Sequence, residues 1–281
     1  MVDRITPSTG QEERDEVART FGVDDRWPVI TGPFSQWVVE DCFTNGRPPL
    51  ERVGVRFVRN VAEHELMKTR LLNGSHSALG YLGRLVGHRR TDEVMSDEVL
   101  HEYVRRLMAE EIAPQLSEPE GIDLAEYQGS LLHRFANPAI GDRLDRLCRR
   151  GSTRMPKYLL PSLHQAIADN RPHDLLALAV AGWFRHLQGT DDTGGDIEVE
   201  DPQAEHLTGL ARAGGTDPGP LLGERSVFGD LVDHPDLVDA VATDLREMER
   251  DGVRATVAAH LLRASGPAAD PVPGDACSRP A

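Results

Sequence analysis

The sequence predicts a mainly α chain preceded by a short α/β segment. Three observations carry that prediction. Strand-like runs are confined to the first 58 residues, and apolar residues recur at helical spacing from about residue 60 to residue 263. No apolar run approaches the ~20 residues of a membrane-spanning helix. With 281 residues, 39% of them hydrophobic and 27% charged, the chain can bury a core without disulfide or metal staples.

Taken in order, residues 2–6 read as the end of a strand, and Pro7-Ser8-Thr9 as the cap of a short helix with Glu12 and Glu13 in its first turn. Residues 27–30, 37–39 and 53–58 are strand-like. Three short strands with little helix cover make a poorly self-sufficient sheet. From residue 60 the texture is helical, with helices expected at 62–86, 97–111, 124–135, 139–149, 156–168 and 173–187. After an Asp- and Gly-rich loop at 188–202, helices resume at 203–213, 221–231, 235–251 and 253–263, with a Gly-Gly-Thr-Asp-Pro-Gly-Pro turn at 214–220. Residues 264–281 are rich in Pro, Ala and Gly, have little to bury, and are expected to be a disordered tail. This divides the chain into an α/β segment at 1–57, a helical domain at 58–263 and the tail.

Composition removes several function classes. A net charge of −15 opposes nucleic-acid binding, and the pairs Arg89-Arg90 and Arg149-Arg150 are too short to make a basic face. The first residues lead into no secretory apolar segment, so neither membrane nor export is expected. Cys42, Cys148 and Cys277 form no C-x-x-C pair and read as reduced thiols of a cytoplasmic protein. There is no phosphate-cradling Gly-rich loop, His64-Glu65 and His101-Glu102 do not complete a zinc-protease motif, and the eleven histidines form no ligand-like cluster. No metal is expected. Gly80, Gly83 and Gly87 read as sites of close helix packing.

One asymmetry singles out two residues. Of 31 basic side chains only Lys68 and Lys157 are lysines. Arginine cannot act as a base near neutral pH, whereas a lysine in a dry setting can. Lys68 sits in the stretch Glu65-Leu66-Met67-Lys68-Thr69-Arg70-Leu71-Leu72-Asn73-Gly74-Ser75-His76. At about 100° per residue, Glu65, Lys68, Asn73 and His76 fall within one arc of a helix. A solvated polar face is the ordinary explanation. Against it stand the apolar flanks and Asn73-Gly74, a pair that weakens a helix unless something must come close.

Lys68-x4-Asn73-x2-His76 in this context resembles the catalytic helix of the mannitol dehydrogenase family, the polyol-specific long-chain dehydrogenases. Val2-Asp3-Arg4-Ile5-Thr6-Pro7, Arg134-Phe135-Ala136-Asn137-Pro138-Ala139-Ile140 and Arg154-Met155-Pro156-Lys157 resemble further blocks of that family, in the same order. The resemblance implies a helical C-terminal domain of the 6-phosphogluconate-dehydrogenase-like type, preceded by the last part of a Rossmann-type domain. It implies NAD-dependent (or NADP-dependent) interconversion of a polyol and a ketose, D-mannitol and D-fructose first, without metal. By the same resemblance Lys68 is the general base, Asn73 donates to the developing oxyanion, and His76 orients the substrate hydroxyl. Glu65 relays protons to solvent, while Asp3, Arg149 and Lys157 bind polyol hydroxyls. The family's Gly-rich dinucleotide-binding stretch is not in this sequence. The expectation is therefore an inactive fragment, or one half of a pair whose dinucleotide-binding half is separate. A hexuronate reductase-type member and a non-enzymatic helical module are the alternatives.

Overall fold

The computed structural model describes residues 1–263, so the expected tail at 264–281 lies outside the described residues. The chain begins with a three-stranded sheet. Strand β1 (Val2–Asp3) pairs antiparallel with β2 (Gln36–Glu40), Val2 opposite Trp37, and β2 pairs parallel with β3 (Arg56–Val58), Val38 opposite Arg56. A parallel pair needs a long crossover, which residues 41–55 supply with a 3-10 turn at Leu50–Val53. Helix α1 (Gln11–Phe21) lies between β1 and β2. Its N-cap is Gly10, whose N–H donates to Glu13 at 2.6 Å, rather than the expected Pro7-Ser8-Thr9. Residues 27–30 are not a strand: Trp27 is 75% exposed and Val29 65%, with no neighbouring strand to pair with.

The rest is helical. The expected helix at 62–86 is one rod in three parts: α2 (Ala62–Met67), a π-helical segment (Lys68–Gly74) and α3 (Ser75–Val86). Helices α4 (Thr91–Ser96) and α5 (Glu98–Arg106) follow, and α5 runs into a second π segment at Leu107–Ile112. Asp97 separates α4 from α5 by accepting from the N–H groups of Val99 and Leu100, as an N-cap does. Helix α6 (Leu124–Phe135) matches its expected bounds and is capped the same way by Asp123.

Three expected helices take a different form. The one at 139–149 shrinks to α7 (Leu144–Cys148), because residues 137–140 form a turn closed by the Ile140 N–H on the Asn137 carbonyl. The one at 156–168 splits into α8 (Gly151–Tyr158) and α9 (Leu160–Ala168), since Pro161 in the first turn of α9 has no N–H to carry the hydrogen-bond ladder across the break. The one at 221–231 becomes two single turns, α12 (Gly219–Leu222) and α13 (Arg225–Phe228). Helix α4 was not foreseen. Helices α10 (Asp174–Leu187), α11 (Ala204–Gly214), α14 (Pro235–Asp251) and α15 (Val253–Arg263) stand where the spacing put them. Among the described residues no helix is long and apolar enough to cross a membrane.

Helix α10 is the centre of the core. Leu175 through Phe184 are all buried, so the helix has no solvent face and must be surrounded. Helices α3 and α14 pack on it, α14 through the stripe Leu237, Val241, Leu245 and Met248. Gly80 and Gly83 of α3 serve close packing as expected: a Cβ at Gly80 would lie 3.0 Å from the Leu147 Cβ, and one at Gly83 2.4 Å from a Val94 methyl. Gly87 does not. It ends α3 in the left-handed conformation, at φ 104°. One histidine joins two carboxylates after all. His260 Nε2 lies 2.6 Å from Asp244, and Glu247 beside them pairs with Arg263, tying α15 to α14.

The buried N-terminus of α10 is satisfied by Glu111, from the second π segment. Its carboxylate accepts from the N–H groups of Leu175 and Leu176, both at 2.8 Å. Burial pushes the Glu111 carboxyl up to about 7, against the opposing pull of those two N–H groups. The folded protein thus holds this proton to about pH 7, while the unfolded chain releases it near 4.5. Between those values the folded state binds more protons, so this group makes stability fall as pH rises from about 4.5 to about 7. Urea unfolding at pH 5 and pH 8 should show that loss in the parent and a smaller one in Glu111→Gln. Equal losses in both proteins would remove Glu111 as the source.

Candidate active site

The π segment coincides with the motif singled out in the sequence. In such a segment each N–H reaches one residue further back than in an α-helix, which turns the face of everything beyond it. The single-arc reading of Glu65, Lys68, Asn73 and His76 assumed an unbroken α-helix and does not carry across it. In the structure Glu65 is exposed, Lys68 and Asn73 are half-buried, and His76 is buried at 4% exposure. The segment is held on one side by Arg70, which donates to Gln115 and Gln165.

Gly74 explains the weak Asn-Gly pair. A Cβ there would lie 2.9 Å from the carbonyl oxygen of Tyr158, the last residue of α8. The π segment and α8 therefore touch backbone to backbone, and Lys157, exposed on α8, is carried up beside the motif. The N-terminus of α8 is fixed by Asp201 of the polar loop, which accepts from the Ser152 N–H at 2.8 Å and the Ser152 hydroxyl at 2.6 Å.

Lys68 Nζ donates to the main-chain carbonyl of Val2 at 2.9 Å. The next residue, Asp3, is fully buried and its carboxylate is taken. Arg134 reaches both oxygens, at 2.7 and 3.2 Å, and Tyr127 donates its hydroxyl at 2.7 Å. Burial and the Asp3 charge push the Tyr127 hydroxyl well up, keeping it a donor. The Arg134 guanidinium also stacks on Phe34, 4.1 Å from the ring centre. Asp3, expected as a hydroxyl-binding residue, anchors β1 on α6.

His76 packs against Phe135, ring centres 4.4 Å apart, and its Nε2 is buried without a partner among the described residues. Burial holds its proton affinity well below the usual histidine range, and the charges of Arg146, Arg154 and Arg134 add to this. His76 is a neutral imidazole at neutral pH. An apolar cavity of about 240 Å³, lined by Ile5, Pro33, Phe34 and Ile140, opens beside Arg134.

Arg149 is not brought to this cluster. It pairs with Glu200 at 2.8 Å and lines a polar cavity with Arg84 and His186, about two helical turns past His76 along α3. His186 there is pushed down to about 4 by burial. Burial likewise pushes the neighbouring Cys148 thiol up, which leaves it unreactive.

Sequence reasoning gave no role to Tyr127, Arg134 and Phe135. Arg134 and Phe135 stood in a quoted block, and Tyr127 lies seven residues earlier, two turns along the same face. That spacing was the available signal.

A pyrophosphate favours a helix N-terminus free of negative charge. Among the described residues, the two helices that follow strands carry carboxylates there, Glu13 on the Gly10 N–H of α1 and Glu40 on the Val61 N–H before α2.

With this geometry in hand, the comparisons are specific. Residues 60–249 match the family model of the mannitol dehydrogenase C-terminal domain. The chain is similar to a mannitol 2-dehydrogenase of Aspergillus fumigatus, 43% identical over 265 residues, covering 93% of this chain and 53% of that protein. It is 46% identical over 259 residues to mannitol dehydrogenase 2 of Saccharomyces cerevisiae, covering 92% of this chain and 52% of that one. Among solved structures, it resembles Pseudomonas fluorescens mannitol 2-dehydrogenase in a ternary complex with NAD and D-mannitol. There the TM-score is 0.87 at 41% identity, over 94% of this chain and 54% of that one. A D-sorbitol dehydrogenase in substrate-free form matches with a TM-score of 0.83 at 31% identity, over 92% of this chain and 53% of that one. The chain spans about half the length of the curated relatives it matches.

Gly74→Ala should destabilise the chain by about 1–3 kcal/mol, the usual cost of overpacking, even though alanine is the better helix former. Its urea midpoint should fall relative to the parent. An unchanged or raised midpoint would mean that the close approach to Tyr158 is not a constraint.

Proposed function

We propose a function from one premise, that the chain belongs to the mannitol dehydrogenase family. It supplies the substrate-side half of an NAD-dependent interconversion of a polyol and its ketose, D-mannitol and D-fructose first among them. The observation that supports this most is a single network that serves both candidate groups: Lys68 rests on Val2, Asp3 on Arg134, and Phe135 on His76. The pairing with a mannitol complex and with a sorbitol dehydrogenase favours hexitols as the substrate class.

In this reading Lys68 takes the proton of the substrate hydroxyl, a task arginine cannot perform. The Asn73 amide donates to the oxyanion that develops. The unpartnered Nε2 of neutral His76 bonds and orients the hydroxyl. Glu65, one turn before Lys68 on the exposed side, passes the proton to solvent, and Lys157 binds outer hydroxyls. The nicotinamide cofactor is held by a separate dinucleotide-binding half, and the isolated chain does not turn over mannitol. The exposed apolar side chains Phe21, Trp27, Val29, Trp37 and Val53 in the first segment support a covering partner of that kind.

The test combines the chain with a dinucleotide-binding half. Lys68→Ala should lose about 10²–10⁴-fold in polyol oxidation, the ordinary contribution of a general base, with NADH binding nearly unchanged. Lys68→Arg should fail almost as badly, and small amines should restore part of the activity of Lys68→Ala. Near-normal turnover by Lys68→Arg would reduce Lys68 to a binding residue.

A further inference from the structure

We propose that Arg134 and Tyr127 are positioning residues for Lys68, acting through Asp3 and the main chain of β1. The inference deepens the general-base reading of Lys68 and rests on it for its functional meaning. Strand β1 is two residues long and pairs with β2 alone, so it is weakly held by its own ladder. Val2 is 52% exposed, and apolar burial does not fix it either. Its carbonyl nevertheless receives the Lys68 ammonium at 2.9 Å. That carbonyl is fixed from both sides: Met1 exchanges two main-chain hydrogen bonds with Val38, and Asp3 is gripped by the two-pronged Arg134 and by Tyr127, with no exposure to solvent. A forked guanidinium sets the orientation of a carboxylate, not only its place. The fork is itself immobilised by stacking on Phe34.

The same helix turn serves the other candidate group. Phe135, the residue after Arg134, lies against the His76 ring. Consecutive residues at the end of α6 therefore hold Lys68 through β1 and His76 directly. Neither needs to touch substrate to do so.

The composition supplies an unusually clean readout, because the chain has two lysines only. With lysine labelled by carbon-13 and nitrogen-15, side-chain Nζ–Cε correlations of the full chain give one signal for Lys68 and one for Lys157. Arg134→Met should move the Lys68 signal most of the way toward that of exposed Lys157, which itself stays in place. Tyr127→Phe should move it in the same direction by less, without any change of charge. Arg134→Lys should not restore it, because an ammonium lacks the fork. A Lys68 signal unmoved by Tyr127→Phe and Arg134→Met overturns the proposal, as does full restoration by Arg134→Lys, which would reduce the effect to charge at a distance. Should Arg134→Met fail to fold, Tyr127→Phe decides alone. The two readings fail separately: turnover by Lys68→Ala would remove the base and leave the clamp, whereas a Lys68 signal indifferent to both variants would remove the clamp and leave the base.

Discussion

A helix without a polar face dictates the architecture. Helix α10 buries nearly every side chain, so other helices must enclose it on all sides, and its first N–H groups emerge where no water reaches them. Leaving such donors unmet costs about 1–3 kcal/mol each. Glu111 meets two of them, at the cost of holding a carboxyl in a dry place. Because α3 is one of the enclosing helices, the rod that begins with the Lys68 motif is fastened to the buried centre of the fold. Gly80 and Gly83 draw it close to its other neighbours.

The site is built from short or irregular pieces set against that rod. Strand β1 has two residues, α8 has eight and ends just after a proline, and the motif itself lies in a π segment. None would hold its shape alone. Each is fastened by a charge-assisted contact at least partly shielded from solvent: Asp3 with Arg134 for β1, Asp201 with Ser152 for α8, and Arg70 with Gln115 and Gln165 for the π segment. The working surface depends on polar contacts, and the scaffold behind it on apolar ones.

This division governs what the sequence made legible. Helices α6 and α14 were readable to the residue, because apolar spacing and an aspartate or proline at the start mark them without outside help. The π segment was not, since a hydrogen bond one residue longer leaves no trace in side-chain type. The motif Lys68-Asn73-His76 was visible as chemistry, and its shared arc was wrong as geometry for that reason. Asp3 came forward only through the family resemblance, and its anchoring partners Tyr127 and Arg134 lie more than a hundred residues away in the chain, where no local spacing marks them. Arg149 pairs with Glu200, a contact that no local spacing in the sequence marks. Strand character at 27–30 failed because apolar β-formers need a partner strand, and none stands beside them.

The π segment also bears on how this chain can change length. A π turn is, in effect, an α turn with one residue added. Deleting one residue between 68 and 74 would give back a regular α-helix, which the backbone prefers. Because a π turn spends its extra residue within the same rotation, α2 and Glu65 would keep their direction relative to α3 and His76. What would change is the turn itself, where Asn73 and Gly74 lie. A lineage that dropped one codon there would gain a smoother helix, keep both ends of the rod aligned, and lose the bulge that carries Asn73.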